Sequence, residues 1–240
     1  MGVLYIIATP IGNREDITIR ALKTLFSIDV LLCEDTRKAG LLLNYYRTTE
    51  PYSGIIRVLS HQHKPRFLSY YDQIEEERVA EVLAFLEQGR TVGLVTDAGT
   101  PLISDPGFKL VRECRRRGIP VSPIPGPSSL TAALSVAGVP TDRFIFLGYA
   151  PRKSSELSRL LRELKKCGEI LKFKTVIFLE SPARISKTVA LLEEIAPTES
   201  IIIARELTKL HESIEKAKHV SGEDRELIRG ECVVCVDLSF

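Results

Sequence analysis

The chain has 240 residues and a formal net charge of +2, enough for one large or two small domains and too near neutral for its whole surface to bind nucleic acid. With 44% hydrophobic residues it can bury a core, and five scattered cysteines, an odd number, argue against a disulfide framework and for a reducing, cytoplasmic setting. The opening MGVLYIIATP lacks the charged start of a secretory signal, no run approaches the ~18 apolar residues of a membrane span, and Ile6 stands where a myristoylation signal needs Ser or Thr.

In chain order, VLYIIAT (3–9) is the first strand candidate and runs into ATPIGNRED (8–16). Ile17, Ala21, Leu22 and Leu25 then form one stripe, predicting a helix over 16–26. DVLLCE (29–34) is the second strand and leaves through CEDTR (33–37); FLSYY (67–71) is the third. Val79, Val82, Leu83 and Leu86 mark a helix over 75–88, closed by Gly89. TVGLVT (91–96) is the fourth strand, followed by TDAGTPLISDPG (96–107) and a helix that starts near Phe108 and is closed by Gly118. PVSPIP (120–125) is the fifth, leaving through PIPGPSS (123–129). Several of these runs are almost continuously apolar, as strands covered on both faces must be, so the pattern is βαβ with a parallel sheet. After VAGVPTDR (136–143) it restarts, with strand candidates at 143–149, 175–180, 200–206, 212–219 and 231–239. The last two have no helix between them, which predicts antiparallel strands. The reading is α/β in two domains: 1–138, mostly parallel and carrying the Gly/Pro-rich loops, and 139–240, with a mixed sheet.

A strand ending in a tight Gly/Pro loop places side chains at the carboxyl edge of a parallel sheet, where open α/β sheets bind ligands. TDAGTPLISDPG has no lysine or arginine, and no phosphate fingerprint of the G-x-x-x-x-G-K-[ST] or G-x-G-x-x-G type is present. Asp97 and Asp105 would repel an anion and favour a neutral or cationic ligand with hydroxyls; S-adenosylmethionine, with a sulfonium, an ammonium and a ribose diol, is one. The alternative is a structural turn. Asp97 is the better candidate for polar contact with a ligand, and Asp105 for capping the helix that follows. Four such loops should converge on one edge.

LYIIATPIGNREDIT, CEDTR, TDAGTP…ISDPG, PIPGPSSL, PTDRF, PRK, ESPAR and ARELTKLHE occur in this order. Together they resemble the ribosomal small subunit methyltransferase I family of the tetrapyrrole methylase superfamily, from Leu4 to the RGE at 229–231. The resemblance implies 2′-O-methylation of a cytidine ribose in 16S rRNA, at the decoding centre of the small ribosomal subunit, with S-adenosylmethionine as donor. It also implies a two-domain α/β homodimer with the cofactor in the cleft between domains. Cofactor contacts carry over to Pro10, Ala98, Gly99, Thr100, Pro101, Ile103, Ser128 and Ser129, and more loosely to Leu179, Glu180 and Leu207; the loop reading adds Asp97. The family's SYHEHNE is SYYDQIE here and its ESPHR is ESPAR, so Tyr71, Gln73 and Ala183 replace histidines and catalysis is not assigned to those positions. The rival readings are tetrapyrrole C-methylation and a non-catalytic RNA-binding module on the same fold.

A ribose hydroxyl is a poor nucleophile, so a general base or an alkoxide-stabilising cation would help; no metal is required. The candidates are Glu34, Asp35 and Arg37 in the second loop and Arg205, Lys209 and His211 in ARELTKLHE. For RNA, the segment 151–174 carries eight lysines and arginines against three glutamates. Leu157, Leu160, Leu161 and Leu164 make its apolar face, leaving Arg152, Lys153, Arg159, Arg162 and Lys166 for phosphates. Arg112, Arg115, Arg116 and Arg117 read as a solvated helix face. HQH (61–63) lacks further ligands nearby for a metal. Cys232 and Cys235 of CVVC lie in a strand run, where they face opposite ways as buried, inert thiols.

Overall fold

A computed structural model describes residues 1–58, 64–194, 196–197, 200–217 and 230–238; the HQH segment at 61–63 lies outside them. The chain divides into two compact units, Met1–Ser128 and Ser129–Phe240. No helix among the described residues is long and apolar enough to cross a membrane.

The first unit is built on five strands, β1 (Leu4–Ile7), β2 (Val30–Cys33), β3 (Arg66–Ser69), β4 (Val92–Leu94) and β5 (Val121–Ile124). Each overlaps an expected run. The sheet order is β3-β2-β4-β1-β5 and every pairing is parallel. Successive side chains of a strand face opposite sides, so a run buried throughout needs cover on both. Leu31 and Leu32 of β2 show this: both are fully buried, but in different cores. Leu31 joins Leu22, Leu25, Leu43 and Tyr46, from α1 (Ile19–Leu25) and α2 (Thr36–Thr48), with Ile56 of α3 (Tyr52–Arg57). Leu32 joins Val82, Leu83 and Leu86 of α4 (Glu75–Glu87) and Leu110 and Cys114 of α5 (Phe108–Arg116). Gly89 and Gly118 follow α4 and α5 with φ +85° and +67°, the left-handed closure expected of them.

The second unit comprises α6 (Ser129–Val136), β6 (Phe144–Tyr149), α7 (Ser154–Leu171), β7 (Thr175–Glu180), α8 (Ile185–Glu193), β8 (Ile201–Arg205), β9 (Ser213–Lys216) and β10 (Cys232–Asp237). Its sheet runs β6-β7-β10-β8-β9. β6 and β7 are parallel, whereas β10 is antiparallel to both its neighbours and β9 is antiparallel to β8. The connection 206–212 is too short for a crossover, so β8 and β9 have to pair antiparallel. Leu157 and Leu161 of α7 and Val189 and Leu192 of α8 pack with Phe178 and Val234 in the core. α6 packs on β10, and the compact units divide just ahead of it; the sequence sets its boundary after it, at the VAGVPTDR restart.

Candidate functional site

Because all strands of the first sheet are parallel, the loops after β1, β2, β4 and β5 leave from one edge, and these four strands are neighbours. Hydrogen bonds tie the loops together. Thr9 and Gly99 form a two-way backbone bridge, with N···O distances of 2.9 and 3.1 Å. The Thr9 hydroxyl donates to the Thr96 carbonyl at 3.3 Å, and the Thr100 hydroxyl donates to that of Pro127 at 3.0 Å. A Cβ on Gly126 would come within 3.0 Å of the Ala8 Cβ, so the loop after β5 lies directly on the loop after β1. The Asp97 N–H reaches the Glu34 carboxylate at 3.4 Å, joining the loops after β4 and β2. Pro10, Gly99 and Pro101 are buried, while Asp97, Ala98 and Ile103 are exposed. Ser128 and Ser129 stand at the start of α6.

The loop after β4 is held in an uncommon shape. Leu102 and Ser104 take φ of +73° and +67°, left-handed values that cost non-glycine residues about 1–3 kcal/mol each. Gly107 takes φ +133°, and a Cβ there would come within 2.7 Å of the Leu94 side chain. The N-cap of α5 is Gly107, with no side-chain cap. Glu75, only 5% exposed at the start of α4, does this work across space: its Oε1 accepts from Gly107 N at 3.0 Å, Lys109 N at 3.2 Å and the buried Tyr70 hydroxyl at 3.0 Å. Sequence reasoning missed Glu75, which lies 32 residues before Gly107.

The carboxylates at this edge differ in their hold on a proton. Asp35 is the N-cap of α2, accepting from Arg37 N at 2.9 Å, and the Arg37 guanidinium folds back on it at 3.1 and 2.8 Å. These bonds hold Asp35 well below the usual carboxylate range. Burial pushes its neighbour Glu34 the other way, and the Asp97 and Asp72 charges add to that rise. Asp97 is itself paired: Lys38 Nζ lies 2.5 Å from its Oδ2, which raises the proton affinity of the lysine. The loop without a cation in sequence therefore acquires one in space, from the first turns of α2. Burial, with the acids around it, pushes the Cys33 thiol up to about 12, so it is no nucleophile at neutral pH.

In the second unit, Glu180, Arg205 and Lys209 are already engaged by neighbours within it. The Leu179 carbonyl accepts from Ala150 N at 3.0 Å. The Glu180 carboxylate, 1% exposed, accepts from Ser181 N at 2.7 Å, the Thr188 hydroxyl at 2.6 Å and Arg184 at 2.5 Å. Arg184 also donates to the carbonyls of Ala150 and Pro151 at 3.1 and 3.2 Å, so ESPAR forms an internal clamp. Leu207 is buried between two left-handed residues, Glu206 at φ +47° and Thr208 at +65°. Arg205 donates to Ser213 at 2.9 Å and approaches Glu215 at 3.5 Å, Lys209 pairs with Glu206 at 2.9 Å, and His211 is exposed. Arg152, Lys153, Arg159, Arg162 and Lys166 all lie exposed on or just before α7. In the other basic cluster, Arg116 and Arg117 are tied to Glu113 at 2.6 and 2.7 Å, and Arg112 lies over the Phe108 ring, as a solvated helix face would have it. Cys232 and Cys235 are buried, and burial raises their thiols to about 11 and about 12.

With this geometry in place, comparison with known proteins is informative. The family model for Tetrapyrrole (Corrin/Porphyrin) Methylases matches residues 3–219. The chain is 44% identical over 218 residues to a "Ribosomal RNA small subunit methyltransferase I" of Thermotoga maritima, covering 91% of this chain and 89% of that protein. It is 41% identical to a protein of the same name from Hydrogenobaculum sp., covering 96% and 94%. Among solved structures, a uroporphyrin-III-C-methyltransferase of Thermus thermophilus superposes with a TM-score of 0.60 at 18% identity, covering 99% of this chain and 96% of that one. A cobalt precorrin-4 methyltransferase does so at 0.61 and 19%, covering 98% and 94%. These two likenesses speak for the fold alone.

Proposed function

Since the chain belongs to the tetrapyrrole methylase family, and within it to the ribosomal RNA small subunit methyltransferase I group, we propose that it methylates 16S rRNA, with S-adenosylmethionine as donor. The position we assign is the ribose 2′-oxygen of a cytidine at the decoding centre, and the setting is the cytoplasm, with the enzyme acting as a homodimer. The observation that carries this reading is the identity of about two residues in five, over nearly the whole chain, to relatives of that name.

The sheet edge suits the cofactor. S-adenosylmethionine supplies a methyl group activated on a sulfonium, together with an ammonium and a ribose diol. The edge offers the exposed Asp97 and the Thr100 hydroxyl, we assign Ser128 and Ser129 to the same ligand, and Arg37 and Lys38 in the first turn of α2 are each bound to a carboxylate. Pro10, Ala98, Gly99, Pro101 and Ile103 would hold the ligand largely through backbone and apolar contact. In the second unit, Leu179 and Leu207 are the assigned contacts; Glu180 acts there by ordering its neighbours, since its carboxylate is fully engaged.

Orientation of the ribose oxygen in line with the methyl group supplies much of the rate, as approach geometry does in group transfer. Of the two acids after β2, Glu34 suits the role of base, because its proton affinity is raised and that of Asp35 is lowered. Arg205, at the end of β8, and Lys209 and His211, on the connection that follows it, are the further candidates for base or alkoxide-stabilising cation.

The test is incubation with labelled S-adenosylmethionine and small subunits from a strain lacking this methylation. Label should appear in 16S rRNA as 2′-O-methylcytidine. Label in a tetrapyrrole and none in RNA would replace this reading with C-methylation.

A further inference from the structure

The leucines of α7 that enter the core, Leu157 and Leu161, lie one turn apart, with Leu164 packed beside them. That orientation sends the rest of the helix outward. Ser155, Ser158 and Arg159, Arg162, and then Lys165 and Lys166 follow one another at offsets of 3–4, 7 and 10–11 residues, one ridge along the helix. At 1.5 Å per residue this ridge is roughly 16 Å long. It lines a groove of about 830 Å³ whose other side is formed by Leu191 of α8 and Glu194 just beyond it. Leu191 is the one apolar residue among the described residues lining the groove, which is otherwise formed by hydroxyls and charges, four of them positive (Arg159, Arg162, Lys165 and Lys166) and two negative (Glu163 and Glu194).

The carboxylates in the groove hold its cations loosely. Arg162 and Glu194 are 3.8 Å apart, as are Lys166 and Glu163, and all four side chains are more than half exposed. Exposed pairs at such distances contribute little and exchange readily. Arg159 has no hydrogen bond or ion pair among the described residues. A ridge of cations that continues a run of hydroxyls matches the regular charge of a nucleic-acid backbone, and the roughly 10 Å from Arg159 to Lys166 spans about three phosphates at about 3.4 Å each along a stacked strand.

We propose that this groove seats the sugar–phosphate backbone of a single RNA strand, with Arg159, Arg162 and Lys166 on successive phosphates and Arg152 and Lys153 extending the track beyond the start of α7. It rests on the ribosomal-RNA reading above and adds to it a docking site within the second unit, formed by none of the proposed cofactor contacts. Glu194 acts as a counterweight: by pairing with Arg162 it weakens binding of any strand that fails to displace it.

The experiment measures binding of a fluorescent single-stranded RNA oligonucleotide across a salt series, with S-adenosylmethionine binding followed by calorimetry on the same proteins. The variants are the triple substitution Arg159→Gln, Arg162→Gln, Lys166→Gln and the single substitution Glu194→Gln. The triple variant should bind the RNA at least about tenfold more weakly at moderate salt, with a log–log salt slope shallower by roughly two, at about 0.7 per lost phosphate contact on a single strand. Its cofactor affinity and melting temperature should match the parent. Glu194→Gln should tighten RNA binding by up to about fivefold, the range for releasing one exposed pair. Unchanged RNA affinity and slope in a folded triple variant would overturn the assignment. So would loss of binding to small subunits with oligonucleotide binding intact, which would assign the groove to a ribosomal protein. If the methylation reading fails while the triple variant still loses RNA, the groove stands and the chemistry alone is wrong, so the two failures are distinguishable.

Discussion

Glu34 and Asp35 are adjacent in sequence and opposite in chemistry. Asp35 spends its oxygens on the first turn of α2 and on Arg37, which stabilise its charge. Glu34 sits partly buried beside other carboxylates, which disfavours its charge. The folded pKa of Glu34 therefore lies above the ordinary value of 4.5, and the folded chain binds this proton more tightly than the unfolded one. The stabilisation from that proton is present at pH below the ordinary value and is lost as pH rises through the folded value. Glu34→Gln should be at least as stable as the parent at neutral pH, with the difference shrinking in acid. If Glu34 is the base, the acid limb of kcat/KM should fall above the ordinary glutamate value and the variant should lose about 10²–10⁴ in rate. A limb below the ordinary aspartate value would point to Asp35 instead. The local signals at this edge, acids and an arginine directly after a buried strand, are legible in the sequence. The Lys38–Asp97 pair is not, since 59 residues separate its members.

At the scale of elements, the loop after β4 is anchored at both ends. Its start is bridged to Thr9, and its end is held by the Glu75 carboxylate against the N-terminus of α5. Glu75→Ala would leave Gly107 N, Lys109 N and the Tyr70 hydroxyl without their acceptor. The expected cost is about 2–3 kcal/mol, as for buried donors left unpaired, with Glu75→Gln milder. Urea unfolding checks the stability. Calorimetry should show weaker cofactor binding in both variants, because the loop end is freed; stability and affinity both equal to the parent's would remove Glu75 from the design. Helices α1, α4, α5 and α7 announce themselves through stripes or closing glycines. α2 carries Ala39, Leu43 and Tyr46 at offsets of 4 and 7, and α8 carries Ile185, Val189 and Leu192 in the same way. Both stripes were readable but are interrupted by polar residues. α6 is only eight residues long and follows a Pro/Gly-rich stretch, so its helical signal is weak.

Over the whole molecule, each unit hides two of the five thiols. Cys33 and Cys114 are buried in the first, Cys232 and Cys235 in the second, and Cys167 alone is exposed. Burial raises the hidden thiols to about 11–12, so both access and ionisation protect them. Brief alkylation of the native chain, read by mass spectrometry, should label Cys167 and spare the others. Added denaturant should release the hidden thiols in the pairs Cys33/Cys114 and Cys232/Cys235; ready native labelling of any of the four would contradict the packing. The sequence by itself determined the ten strands, the parallel character of the first sheet, the loops at its edge and the family. These follow from apolar runs, short connections and ordered motifs, all properties of neighbouring residues. Only the tertiary structure decided that Lys38 neutralises Asp97, that Glu75 accepts from the first backbone N–H groups of α5, that Glu180 is closed in by Arg184 and Thr188, and that the cations of α7 border a groove with α8. Periodicity reports which face a residue takes, whereas a partner far along the chain is set by sheet order and by the path of the backbone between them.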